Sequence, residues 1–306
     1  MTAMGELDPW LVAARFVQVS ACAVLFGELL FIVSIARDGG LARRGVRAAL
    51  GTCVALVALS GAAWLMLVAA AVSGGSPSQP DWHTVRLVVT ATTFGHVWTL
   101  RALLLVGVAF TVALRAPRSA LAAAALCLAA LAWAGHAAAG VGPQRGIELA
   151  SDVLHLLAAG AWIGALPGLA WTLAHEPSAA RLHRVVRRFS VWGVWSVAAL
   201  VATGLVNSWY RVGTLAGLTQ SDYGRLLLVK LAFVAAMIAL AACNRYLWTP
   251  RLLGPQPGAL RALRTNTLLE IAAGLCVLGI VGALGVTMPA AHGGMQHTMP
   301  VMHMGH

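Results

Sequence analysis

Hydrophobic residues in this chain come in runs of twenty or more, separated by short polar stretches, and the pattern repeats from end to end. A helix rises about 1.5 Å per residue, so each run can cross a hydrocarbon core of about 30 Å. Eight such spans are predicted, near 9–36, 46–72, 92–114, 119–139, 149–173, 189–212, 223–248 and 265–288. The stretch 81–95 is less uniform, because Arg86 interrupts it and Thr90, Thr92 and Thr93 weaken it as a lipid-facing helix. It is predicted to be a short interfacial or re-entrant segment leading into the third span.

Composition agrees. The chain is 59% hydrophobic and 10% charged, against roughly 25% charged in an ordinary soluble domain. The fold class expected is therefore all-α, a polytopic bundle of eight transmembrane helices. The formal charge of +11 would suggest nucleic acid in a soluble protein. Here the bases sit in short loops between apolar spans, where they set orientation, and a nucleic-acid partner is rejected. Arg37, Arg43 and Arg44 follow the first span, Arg115 and Arg118 the third, Arg181, Arg184, Arg187 and Arg188 the fifth, and Arg251, Arg261 and Arg264 the seventh. Those loops are expected in the cytoplasm, which leaves both termini outside, in the periplasm of a bacterial inner membrane. MTAMGELDPW lacks the basic region of a cleaved signal peptide, so the first span is read as retained. Trp10, Trp82, Trp98, Trp171, Trp209 and Trp248 cluster near span ends, as in an aromatic belt.

Two domains follow: a membrane unit over 1–290 and a flexible metal-binding tail over 291–306. That tail ends in HGGMQHTMPVMHMGH, which offers His292, Met295, His297, Met299, Met302, His303, Met304 and His306. Thioether sulfur is soft and selects Cu(I), while imidazole accepts either oxidation state of copper. Zinc or nickel would gain little from the methionines. The five cysteines, Cys22, Cys53, Cys127, Cys243 and Cys276, lie singly in apolar runs and form no CxxC pair. They indicate neither a disulfide framework nor a thiolate metal site, and are read as small core residues.

Ionisable side chains inside spans cost several kcal/mol unless paired or wet, so each is a functional candidate. Toward the outer face lie His96, Arg101, His136, Asp152, His155 and Lys230; toward the inner face lie Glu28, Asn244 and Glu270. Asp152 and His155 are spaced i, i+3 and share one helix face. His136 enters from the preceding antiparallel helix, at a depth within about 10 Å of His155 by helical rise. His96, His136 and His155 are the candidate metal ligands, with Asp152 ligating or orienting a histidine through its other ring nitrogen. A pathway past Glu28, Arg101, Lys230, Asn244 and Glu270 would lead inward. Lys230 and Arg101 count against a dense cation site unless acids pair with them; Asp152 and Asp222 are the candidate partners. An Asp152 held in such a pair would be structural.

The segments TATTFGHVWTLR (90–101), WAGHAA (133–138), SDVLHLLAAGAWIGAL (151–166), RFSVWGVWSVAALVATGLVNSW (188–209) and DYGRLLLVKLAFVAAMIALAACNRYLWTP (222–250) together resemble the membrane-embedded CopD copper-resistance and copper-transport family. The resemblance covers most of the chain from the third span onward. It implies an eight-helix inner-membrane protein that moves copper between periplasm and cytoplasm beside a separate periplasmic CopC-like copper-binding partner, and it places metal roles on His96, His136, Asp152 and His155. The tail is not guaranteed by the family pattern and is read as an accessory that captures metal. Copper ion, Cu(I) or Cu(II), is thus the expected cargo, with uptake favoured because donors concentrate outside and no nucleotide-binding loop is visible. No enzymatic activity is expected, since no nucleophile stands beside the candidate site. The alternative is a b-type haem protein carrying electrons, with His136 and His155 as axial ligands.

Overall fold

The computed structural model describes residues 9–37, 40–134, 144–212, 214–254 and 258–287. All regular structure in them is helical. The helices are α1 (Pro9–Leu30), α2 (Arg44–Ser73), α3 (Trp82–Ala91), α4 (Thr93–Ala113), α5 (Pro117–Ala129), α6 (Gln144–Trp162), α7 (Leu166–His175), α8 (Ala179–Val212), α9 (Leu215–Gln220), α10 (Asp222–Cys243) and α11 (Gly258–Leu284). Among the described residues, eight helical segments are long and apolar enough to cross a membrane, and each overlaps one predicted span.

Local sequence explains the boundaries. Pro117 opens α5, where its fixed φ suits the first helical position. Asp81 caps α3, accepting from the His83 N–H, and Thr92 caps α4, accepting from the Gly95 N–H at 3.0 Å. The ambiguous 81–95 stretch is thus a ten-residue helix and a sharp corner, with α3 packed on α2 and α4. Arginines finish several helices from a distance. Arg264 Nε donates to the Leu173 carbonyl at 2.8 Å at the end of α7, and Arg188 Nη1 donates to Ile35 O at 3.2 Å in the π-helical turn Phe31–Ala36 that continues α1.

Two cores result. One joins α1, α2, α4 and α5 around Leu25, Leu50, Val108 and Leu128. The other joins α7, α8, α10 and α11 with the π-helical turn 31–36 after α1, around Ile35, Leu166, Met237 and Leu263. Together with that turn, α1 reaches both cores, and it packs on α2, α5, α6 and α11. Outward faces remain apolar: Leu103, Val106 and Phe110 of α4 are all exposed, as a lipid-facing surface requires.

The fifth predicted span stands as one crossing but is broken within it. The predicted span 149–173 is not a single helix, because the chain turns at Ile163–Ala165 between α6 and α7. Pro167 cannot donate to a continuing ladder. The break also lies against α1 at backbone distance. A Cβ placed on Gly164 would sit 1.9 Å from the Ala23 carbonyl oxygen, and one on Gly27 would sit 2.2 Å from the Gly164 carbonyl carbon. Broken helices inside a membrane are tolerated only where protein or a cavity satisfies the backbone. Here Glu28 of α1 does so, its Oε1 accepting from the Gly168 N–H at 2.5 Å in the first turn of α7.

Candidate metal centre

Helices α6, α8 and α10 bring together the polar cluster nearest the predicted outer site. Asp152 is buried, and its Oδ2 accepts from Arg211 Nη2 of α8 at 2.5 Å. Asn207 stands beside the same carboxylate and Tyr223 beside Arg211. Lys230 of α10 lies within electrostatic range of Asp152, Arg211 and His155. The acid expected to meet Lys230 or Arg101 is therefore taken by Arg211, a base at the end of its span that the sequence reading passed over.

His155, one turn along α6, hydrogen-bonds Thr203 of α8 through Nδ1 at 2.9 Å. The tautomer follows from the network. A threonine hydroxyl has one hydrogen, and Thr203 Oγ1 directs it to the Ala199 carbonyl at 2.6 Å. Thr203 can therefore only accept from the imidazole, which puts the His155 proton on Nδ1 and leaves the Nε2 lone pair for a metal. An imidazole ligand oriented through its other nitrogen is the usual second layer of a metal site. Ser151 Oγ adds a bond to the Thr203 carbonyl at 3.2 Å, so α6 and α8 are latched at His155 and again one turn before it.

Of the remaining predicted ligands, His96 lies elsewhere. His96 is exposed in the first turn of α4, and its Nε2 bonds the Thr90 carbonyl at 3.0 Å. Helix α4 packs chiefly on α2, α3 and α5, whereas α6 packs chiefly on α8 and α1. His136 and the tail residues His292, Met295, His297, Met299, Met302, His303, Met304 and His306 lie outside the described residues. Among the described residues, no three His, Cys, Asp or Glu side chains converge on one point.

Lys230 belongs to the outer cluster, and the other pathway residues separate into three environments. Arg101 is buried in the first core, its Nε donating to Cys127 O and its Nη2 to Cys22 Sγ, both at 3.3 Å. Glu28 caps α7. Asn244 and Glu270 form an inner group, with Asn244 Nδ2 donating to Glu270 Oε1 at 2.8 Å and Asn266 Nδ2 donating to Asn244 Oδ1 at 2.9 Å. They border a cavity of about 410 Å³ whose other walls include Trp162, Phe189 and Thr267. Glu270 Oε2 and Thr267 Oγ1 are buried there without a hydrogen-bond partner among the described residues. The cysteines are not uniformly core residues either: Cys22 and Cys127 are buried and in contact, Cys53 and Cys243 are half-buried, and Cys276 is exposed.

Comparison with known proteins adds the following. The profile of the family "Copper resistance protein D" matches residues 183–284, and that of "Copper resistance protein D-like, N-terminal domain" matches residues 4–147. The similarity thus reaches back through the first two spans, further than the motifs from the third span onward suggested. Copper resistance protein D of Pseudomonas syringae pv. tomato is 34% identical over 94% of this chain and 99% of its own length. Inner membrane protein YebZ of Escherichia coli is 29% identical over 91% of this chain and 98% of its own. Copper transport protein CutJ of Bacillus subtilis is 29% identical over 94% of this chain, which spans 54% of that larger protein. No solved structure matches the chain.

Proposed function

The chain belongs to the copper resistance protein D family, and from that membership we propose that it carries copper across a bacterial inner membrane, from periplasm to cytoplasm. The observation that carries the reading is the His155 Nδ1–Thr203 Oγ1 hydrogen bond at 2.9 Å, from which we assign the proton to Nδ1 and a free lone pair to Nε2 within a membrane-embedded polar cluster. Metal reaching the outer face would first meet the Met/His tail and then His155, with His136 contributing as the tail delivers it and the Asp152–Arg211 pair holding α6 against α8. Both termini would face the periplasm, and a separate CopC-like protein would hand over the metal.

Charge bears on the oxidation state. Arg211 and Lys230 both act on His155, and Asp152 balances only one of them. Coulomb repulsion scales with the ion's charge, so this neighbourhood disfavours Cu(II) twice as strongly as Cu(I). Cu(I) is the form we assign to the transported ion. It would pass inward toward the Asn244 and Glu270 group, whose uncommitted carboxylate oxygen borders a cavity. The broken α6–α7 segment gives the bundle the discontinuous helix that secondary transporters place near their binding sites.

Copper accumulation tests this in cells expressing wild type, a truncation ending at Met288, and a His136→Ala/His155→Ala double variant. The truncation should lower apparent affinity modestly, and the double variant should abolish accumulation above background. Unchanged accumulation in the double variant would remove the reading. A Soret band in purified protein would turn the assignment to haem and electron transfer.

A further inference from the structure

Cys22 of α1 and Cys127 near the C-terminal end of α5 are 3% and 1% exposed, deep in the first core and apart from the outer cluster. Both sulfurs meet Arg101: Cys127 Sγ donates to the Arg101 carbonyl at 3.9 Å, and Arg101 Nη2 donates to Cys22 Sγ at 3.3 Å. Cys22 Sγ also receives Gln18 Nε2 at 3.8 Å, so two donors converge on one sulfur. Each donor is itself held. Arg101 Nε is fixed on the Cys127 carbonyl at 3.3 Å, and Gln18 Oε1 accepts from Ser60 Oγ at 2.5 Å.

Arg101 is the unexplained member. It is 6% exposed, and among the described residues no carboxylate pairs with it. A buried guanidinium facing only carbonyls and sulfur is costly unless an anion forms beside it. Two thiols can supply that anion if a metal replaces their protons.

We propose that Cys22 and Cys127 bind one Cu(I) as a two-coordinate dithiolate, with Arg101 as its countercharge. The inference rests on copper being the ion handled, and it adds an internal stopping place that the outer cluster does not provide. Two S–H bonds break, two Cu–S bonds form, two protons leave, and no electron moves. One monovalent cation with two thiolates carries a single negative charge. The guanidinium cancels it, so the filled site is neutral and suited to a low-dielectric core. The same base that would repel a lone cation thus stabilises this complex.

Ligand number and softness select the metal. Among the described residues no third His, Cys, Asp or Glu joins the pair. Zn²⁺ requires four ligands, whereas thiolate sulfur selects Cu(I), whose filled d shell accepts two. Gln18 and Cys22 fall on one face of α1, with Arg15 a turn earlier stacked over Trp64 at 4.7 Å, so a polar column leads from the N-terminal end of α1 to the sulfurs.

The test uses the full chain in nanodiscs under anaerobic conditions, titrated with Cu(I) against a chromophoric chelator while released protons are counted. Wild type should bind one more Cu(I) than Cys22→Ser/Cys127→Ser and release two more protons. Thioethers and neutral imidazoles release none, which separates the thiols from the tail. X-ray absorption of wild type at the occupancy where protons are released should show two sulfur neighbours, a readout that requires no variant to fold. Equal stoichiometry and equal proton release in the two proteins would overturn the proposal, as would nitrogen neighbours at that occupancy. Cellular copper accumulation decides the transport reading and the proton count decides the thiol site, so each can fail alone.

Discussion

Arg211 of α8 reaches Asp152 of α6 with Nη2 2.5 Å from Oδ2, one helical turn before the imidazole of His155. The carboxylate that i, i+3 spacing offers as a metal ligand is therefore engaged, and its direct effect is to hold α6 against α8. The side chains are 12% and 26% exposed, so neither is fully screened by solvent. Breaking such a pair leaves a partly buried charge, worth about 2 kcal/mol. Asp152→Asn and Arg211→Gln should each lower the thermal midpoint of the detergent-solubilised protein by that equivalent. The double variant should lose less than the sum, as a double-mutant cycle measures. Additive losses would mean that the two side chains act independently.

At the α6–α7 break, steric contact replaces side-chain packing. Gly164→Ala would force a Cβ into the Ala23 carbonyl, where it would lie 1.9 Å away, while Gly51→Ala on α2 would meet nothing within 4 Å. The first should cost about 3 kcal/mol or more in stability, and the second should change little. Glu28→Ala removes the acceptor for the Gly168 N–H and should cost about 1 kcal/mol, the typical value of a helix cap. Expression level and thermal midpoint in one detergent compare the three. A Gly164→Ala protein as stable as wild type would show that α1 does not touch the break.

Why some of this was legible in the sequence and some was not follows from range. Each membrane span announces itself, because crossing hydrocarbon demands a long apolar run whatever its neighbours do. A break inside such a run does not lower its average hydropathy, so α6 and α7 read as one; Pro167 between Gly164 and Gly168 was the available signal. Asp152 and His155 could be placed on one face because the relation is local. The partner of Asp152 lies at the end of another span, and nothing local to Arg211 points to it. Cys22 and Cys127 are likewise single cysteines in separate runs, and only the packing of α1, α4 and α5 makes them neighbours.

Asp81, ahead of α3, links pH to a local structure outside the membrane spans. Its carboxylate accepts from Thr84 Oγ1 at 2.6 Å and from the His83 N–H at 3.0 Å, and the Thr84 bond is the main reason its pKa lies below the ordinary carboxylate value. A group with a depressed folded pKa stabilises above its unfolded value and loses that contribution as pH falls through the folded one. The first turn of α3 should therefore keep its protection from neutral pH down past about 4, the usual Asp value, and lose it below. Hydrogen exchange at the Val85 amide, which bonds the Asp81 carbonyl at 2.9 Å, reports on that turn. In Asp81→Ala the protection should be weaker at neutral pH and insensitive to acid. Acid sensitivity that survives the substitution would assign it to another group.

Thr203 offers the sharpest check on the outer site, because its role runs entirely through His155. Its hydroxyl hydrogen goes to Ala199 O and its lone pair receives the imidazole Nδ1–H. Thr203→Val keeps the shape and removes the acceptor, which frees the ring to turn and to protonate the nitrogen that faces the metal. Thr203→Ser keeps the acceptor. Loss of an orienting partner typically lowers metal affinity 10–100-fold, so Thr203→Val should raise the copper concentration for half-maximal accumulation by about that factor, with Thr203→Ser within about threefold of wild type. Thermal midpoints of the two variants should differ little, since one buried hydroxyl bond is worth about 1 kcal/mol. If Thr203→Val transports as well as wild type, the Nε2 lone pair of His155 does not hold the metal and the outer site must be built from other donors.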